Sequence, residues 1–234
     1  MSLKITTGSH TKIFVANLKT FKEISVAQDL NATESATSTF LSAIGKTRPI
    51  YGFKEINDTP VSGNINIYKS DNVDFMRLIL GLGDGEDIAG ETLGKTKPVY
   101  MLLRHFDNNT NAEFQATWLP SVIVNSNQEN VPLKGALTSQ YSVNASMILK
   151  LPRKAIIEIL PVTSGSATLS HTPVTFEGKE FLPANVDSDG NYTYFVVDTT
   201  TGTILSNGEW SVSGTTLTVP SSISEVMVAY QYEG

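Results

Sequence analysis

Gly-Lys-Thr occurs twice, at Gly45-Lys46-Thr47 and Gly94-Lys95-Thr96, and these are the residues closest to a phosphate-binding loop. Such a loop needs another glycine five positions before the Gly-Lys, so that successive N–H groups wrap the phosphates, and a helix must follow. Those positions hold Phe40 and Ala89, Gly90 comes one residue late, and neither copy leads into a helical pattern. The phosphate reading fails. Gly81-Leu82-Gly83-Asp84-Gly85-Glu86 has the glycine density of a dinucleotide loop, but it follows a helical pattern and puts Glu86 where the third glycine belongs. Its carboxylates would repel phosphate, so it reads as a mobile connection. Asp187-Ser188-Asp189-Gly190-Asn191 starts like a calcium loop, yet its twelfth position is Asp198 instead of a bidentate glutamate, and Tyr194–Val197 reads as strand. A hairpin turn accounts for it better.

The remaining chemistry is as thin. Cysteine is absent, which removes disulfides, thiolate metal sites and thiol nucleophiles together. It also fits a reducing cytoplasm. His10, His105 and His171 lie too far apart to suggest a metal pair and read as surface or strand-filling residues. No serine occupies a Gly-x-Ser-x-Gly elbow, and the adjacent Glu86 and Asp87 sit in a loop with no sign of burial to shift a pKa. Asn-x-Ser/Thr triplets such as Asn31-Ala32-Thr33 carry no chemistry in a chain whose first residues lack a secretory pattern. The expectation is a protein that is not an enzyme, with no cofactor and no metal.

Composition bounds what such a chain can be. At 234 residues, 40% hydrophobic and 17% charged, it can bury a substantial core and lacks the signature of disorder. Its apolar runs are only a few residues long, too short for a membrane-spanning helix. Residues 1–150 are balanced in charge, whereas 151–234 hold three basic and nine acidic side chains, the whole of the net −6. Neither part clusters Lys and Arg as a tight nucleic-acid groove requires.

Period-two alternation then defines the elements. In Val61–Tyr68, Ile65 and Ile67 share one face while Asn64 and Asn66 share the other. Val143, Ala145 and Met147 alternate with Ser142, Asn144 and Ser146, and Val226, Val228, Tyr230 and Tyr232 share a face near the end. Each reads as a half-buried antiparallel strand. Thr11–Ala16, Pro49–Phe53, Val99–Phe106, Glu113–Val124, Thr193–Val197 and Leu217–Val219 are further strand candidates. One helix is expected: Asp71 or Asn72 caps it, Phe75, Leu78, Ile79 and Leu82 form its apolar stripe, and Gly81 and Gly83 stop it.

A boundary falls near 150–165, where Pro152 and Pro161 bracket Ile156–Leu160 and Thr163-Ser164-Gly165-Ser166 follows. Beyond it, hairpin signals at Asp189-Gly190 and Ser213-Gly214, with a buried-type Trp210, resemble a small immunoglobulin-like sandwich without its disulfide. The fold class is therefore mainly β: an antiparallel barrel or sandwich with one short packed helix over 1–155, and an immunoglobulin-like sandwich over 161–234. Ile44–Tyr51 and Leu93–Tyr100 also echo each other, in the form of two similar turn-to-strand entries.

The stretch from Gly45 to Leu82 resembles part of a bacteriophage tail tube (major tail) protein. The likeness lies in the order of parts: Arg48-Pro49-Ile50-Tyr51-Gly52-Phe53, then Val61-Ser62-Gly63-Asn64-Ile65-Asn66-Ile67, then the helix. Members of that family carry similar strands and a short helix that plugs one side of a β-barrel. The resemblance implies a homo-oligomer of stacked rings, typically of six subunits, contacting other tail proteins and passing DNA through its lumen without tight binding. It implies a place in the virion tail, assembly in the host cytoplasm and no membrane. Subunit contacts would come from the segment Asn17–Thr47, through Phe21, Ile24, Val26, Leu30, Phe40 and Leu41, with Ile65 and Ile67 added from the alternating strand. The alternatives are another virion part on a related barrel (tail terminator, hub or baseplate) and a surface or carbohydrate-binding sandwich using Tyr192, Tyr194, Tyr230 and Tyr232.

Overall fold

A computed structural model describes residues 11–24, 31–33, 61–88, 95–107, 109–130, 138–186 and 191–233. The expected strand Pro49–Phe53 and the Asp189-Gly190 turn lie outside these residues. The N-terminal elements are β1 (Thr11–Ala16), β2 (Phe21–Ile24), β3 (Asn31–Thr33), β4 (Val61–Tyr68), α1 (Lys69–Ile79), β5 (Val99–Phe106), β6 (Glu113–Asn130), β7 (Thr138–Ala145) and β8 (Leu149–Leu151). The bounds of β1, β4 and β5 match the strand spans expected from the sequence. The strands run in the order β2-β1-β5-β6-β7-β4-β3, all neighbours antiparallel.

Strand β6 is 18 residues long and belongs to two sheets. Up to Val122 it pairs with β5, and from Ile123 it pairs with β7. The corner between them is the dipeptide Pro120-Ser121, which stands opposite the single residue Tyr100. Proline has no N–H to offer the ladder and Ser121 takes a left-handed φ of 51°, so this is a bulge that bends the strand. The bulge also flips the parity of the strand. Before it, Ala116 and Trp118 face away from the helix and Leu119 faces towards it; after it, Val122 and Val124 face the helix.

The two sheets fold over α1, and Phe75, Leu78 and Ile79 fill the space between them with Ile65, Ile67, Met101, Tyr141 and Val143. Among the described residues the sheets do not close into a barrel, because β2 and β3 end the pairing path and join no further strand. The sandwich half of the expectation describes this arrangement, and closure does not.

The helix begins two residues before the expected caps. Pairing of Tyr68 with Thr138 holds the chain as strand, and the next residue is already helical. Asp71 therefore lies inside the first turn, where its charge still favours the dipole, and Asn72 accepts a hydrogen bond from the Tyr141 hydroxyl. The helix ends at Ile79, so Gly81 supplies the expected stop but Leu82 lies beyond the helix: the N–H of Gly81 (φ 70°) bonds to Leu78 O at 3.0 Å and that of Leu82 to Arg77 O at 3.0 Å. That paired closure needs a left-handed residue, which glycine supplies without strain.

The C-terminal elements are β9 (Lys154–Pro161), β10 (Ser166–Thr168), β11 (Pro173–Val174), β12 (Pro183–Val186), β13 (Tyr192–Tyr194), β14 (Val196–Asp198), β15 (Thr203–Ile204), β16 (Ser211–Ser213), β17 (Thr216–Thr218) and β18 (Glu225–Tyr232). The run between Pro152 and Pro161 is thus a full strand, and β9 pairs with β18 along its whole length. Ser213-Gly214 is a hairpin turn joining β16 to β17, with Gly214 at φ 60°. Sheet β10-β17-β16 faces the sheet built on β18 across a core of Leu217, Val226, Val228 and Tyr230, and Trp210 is buried there against Phe181.

A third core joins the two parts. Tyr100, Leu102, Ala116, Trp118 and Leu151 meet Ala155, Ile157, Leu182, Phe195, Val197, Met227 and Ala229. Strands β5 and β18 are consequently buried on both faces, which corrects the half-buried reading of the last strand: Val226 and Val228 serve one core while Met227 and Ala229 serve another.

Candidate functional site

Of the loops that carried possible chemistry, Gly45-Lys46-Thr47 and Asp187-Ser188-Asp189-Gly190 lie outside the described residues, and the other two are tied by their own side chains. Thr96, of the second Gly-Lys-Thr, donates its hydroxyl to Val124 O at 3.4 Å, and Lys97 lies across Gly81 where a Cβ would meet Lys97 Cδ at 2.6 Å. The glycine-rich loop is pinned where the sequence suggested mobility. Glu86 Oε2 accepts from Gly83 N at 2.9 Å, Arg77 Nε donates to Glu86 O at 2.9 Å, and Lys22 Nζ sits 2.8 Å from Asp84 Oδ1. The Gly83 N–H and Lys19 hold the Glu86 carboxyl below its ordinary pKa, and Lys22 does the same for Asp84. His105 fills a strand. Its ring lies between Thr11 Oγ1 at 3.2 Å and Thr117 Oγ1 at 3.0 Å, and burial lowers its pKa. His171 stacks on Tyr232 with ring centroids 4.0 Å apart. Among the described residues no three His, Asp or Glu side chains converge as a metal site requires.

The candidate subunit contacts divide. Ile24, Ile65 and Ile67 are 2%, 0% and 0% exposed and belong to the core around α1. A side chain with no free area cannot give any to a neighbour, so these three are core residues of the chain itself. Phe21 is half-buried beside Phe14, with ring centroids 6.4 Å apart. Val26, Leu30, Phe40 and Leu41 lie outside the described residues. The rings offered for sugar stacking are also occupied: Tyr194, Tyr230 and Tyr232 are buried, and only Tyr192 is half-exposed. Tyr230 donates to the buried Glu158 at 2.6 Å, and desolvation, with that bond, raises its pKa.

Two features emerged that the sequence reading missed. The first is a polar junction beside the third core. Arg104 Nε donates to Glu113 Oε2 at 2.9 Å, while Glu113 Oε1 accepts from Ala155 N at 3.2 Å, so one buried carboxylate ties β6 to both β5 and β9. Trp118 Nε1 reinforces the seam by donating to Pro183 O at 2.7 Å. The signal was present as the unbroken apolar run Val99–Leu103, which marks a strand covered on both faces.

The second is the outward face of the β6-β7-β4 sheet. Register places Ser62 beside Asn144 and Ile123, Asn64 beside Ser142 and Ser126, and Asn66 beside Gln140 and Gln128. These three cross-strand rows contain hydroxyls, amides and one isoleucine, with no charge and no aromatic ring. All are exposed or half-exposed, and Ser142 Oγ donates to Asn64 Oδ1 at 3.0 Å. With strands ~4.8 Å apart and alternate residues ~6.7 Å apart, the rows form a flat lattice of small polar groups.

No family model and no curated protein matches the chain. Among solved structures it is similar to the SPP1 tail tube, at 13% identity over 63% of this chain and 80% of that one, with a TM-score of 0.42. It is also similar to a chain of the sheath–tube complex of an extracellular contractile injection system, at 6% identity, 63% and 92% coverage and a TM-score of 0.42. A third likeness is to a chain of the anti-feeding prophage baseplate, at 11% identity, 64% and 97% coverage and a TM-score of 0.44. Scores of this size carry no weight of their own.

Proposed function

We propose that the chain is a structural subunit of a phage-type tail tube, acting by self-assembly and not by catalysis. The observation that carries the reading is the open architecture of the N-terminal part. Two antiparallel sheets share β6, a helix plugs the space between them, and the pairing path ends at β2 and β3 without closing among the described residues. Sister copies that join such sheets edge to edge would satisfy the ladder and hide the edges, and a repeated heterologous contact closes a ring. Of the order of parts that resembles tail tube proteins, the described residues contain the alternating strand β4 running directly into the plugging helix α1, while the strand Pro49–Phe53 ahead of them lies outside those residues. Phe21, at the β2 margin, and the apolar residues Val26, Leu30, Phe40 and Leu41 after it are the proposed contacts between subunits. The C-terminal strands, with their acidic balance and proposed immunoglobulin-like arrangement, would form the outer layer.

Negative-stain electron microscopy of the concentrated protein tests the proposal. Rings or hollow tubes are expected. A species that stays monomeric at high concentration would refute the reading, and rings that never stack would favour a terminator or hub instead.

A further inference from the structure

We infer that Asn207-Gly208 is a site of self-modification, at which the side-chain amide is lost as ammonia and an aspartyl or isoaspartyl residue is left. The pair lies in the turn between β15 and β16, which Glu209 N closes on Ser206 O at 2.9 Å. Both residues are exposed, as the chemistry needs, because water must enter. Among the described residues no oxygen of the protein accepts the Gly208 N–H, so the nitrogen has no bond to give up. A Cβ built on Gly208 would meet nothing within 4 Å, so the surroundings leave open room beside it. This is also the one Asn-Gly in the sequence; every other asparagine precedes a residue whose Cβ crowds the attacking nitrogen and stiffens its backbone.

The step needs only the turn and water. The Gly208 nitrogen, losing its proton to solvent base, attacks Asn207 Cγ; a C–N bond forms and the side-chain nitrogen departs as ammonia. Water then opens the resulting succinimide at one carbonyl or the other. The net change is amide plus water to carboxylate plus ammonium, with no oxidation or reduction. Its consequence lies in a single contact. Asn207 Nδ2 donates to Tyr192 O at 2.9 Å, tying this turn to β13. A carboxylate can only accept, so the product turns an oxygen towards a carbonyl oxygen and the tie is lost. The new charge also falls two residues from Glu209, whose carboxylate is fixed by Ser206 N at 2.7 Å, in a chain whose net charge is already −6.

The test keeps the whole protein in warm, mildly alkaline buffer and follows its peptides by mass spectrometry, with isoaspartate detected by enzymatic methylation. Modification should gather at Asn207 and yield both aspartate and isoaspartate. Gly208→Ala, for which there is room and no left-handed φ to strain, should slow it about tenfold. Equal rates at 207 in the two proteins, or modification spread evenly over the asparagines, would overturn the inference. Asn207→Asp reads the consequence: by hydrogen exchange, the Ser206–Glu209 turn and β13 should open several-fold faster while β1 to β8 stay unchanged. Unaltered exchange at β13 would overturn the assigned effect on the fold. Neither measurement depends on tubes forming.

Discussion

On one side of the corner in β6 the outward side chains are Ala116 and Trp118, and on the other they are Ser126 and Gln128. One strand thus supplies two outward faces with opposite fates. The first face is apolar and sealed under the C-terminal strands, and the second is polar and open. The first wins stability from burial, at roughly 25 cal/mol for each Å² of apolar surface removed from water. The second gains little from burial, so packing does not dictate its composition. Stability and surface chemistry are divided at a single dipeptide.

The largest contrast should come from Trp118→Ala set against Ser142→Ala. The tryptophan packs on Phe195 with centroids 5.5 Å apart and donates to Pro183 O, so its loss should cost about 3–5 kcal/mol in urea unfolding. Ser142→Ala should stay within about 0.5 kcal/mol. Comparable costs at the two positions would dissolve the distinction between the faces.

A smaller effect is expected at the junction. Arg104→Met strands the Glu113 carboxylate, whose side chain is 4% exposed, whereas Arg104 itself is 22% exposed and partly screened by solvent. The expected loss is roughly 2–3 kcal/mol. Adding Glu113→Gln should recover part of it, and a double variant worse than the sum of both changes would argue against direct pairing.

The gentlest probe is pH. Burial pushes the Tyr100 hydroxyl up to about 12 in the folded chain, from an ordinary value near 10. The folded state then keeps a proton that the unfolded state gives up. This contribution is fully present below about pH 10 and is lost as pH rises towards 12, on the order of 2 kcal/mol. Tyr100→Phe should flatten that alkaline slope in thermal melts, and an unchanged slope would mean that the third core does not enclose the ring.

Apolar patterning made β1, β4 and β5 readable to the residue, β4 through apolar side chains at every second position and β1 and β5 through unbroken apolar runs. It fell silent in the second half of β6, where Asn125–Asn130 contains no apolar residue to mark a face, so the strand ran six residues past its expected end at Val124. The start of α1 was hidden for a different reason. Asp71 and Asn72 are good caps locally, but the partner strand β7 keeps the chain extended up to Tyr68, and that partner lies 70 residues further on. The pairing of β9 with β18 is equally non-local, so Ile156–Leu160 between two prolines reads in isolation as a domain boundary. The open polar face was half legible. Asn64 and Asn66 were visibly the other side of a strand, but nothing in one strand says which polar residues lie alongside.

The parity flip at Pro120-Ser121 constrains the protein in a way that ordinary substitutions do not expose. Side chains beyond it face the helix only because one extra residue has been counted, much as a downstream message depends on its reading frame. Losing or gaining a single residue between Leu119 and Val122 would send Val122 and Val124 out of the core and turn polar neighbours inward. At this corner the number of residues matters as much as their identity.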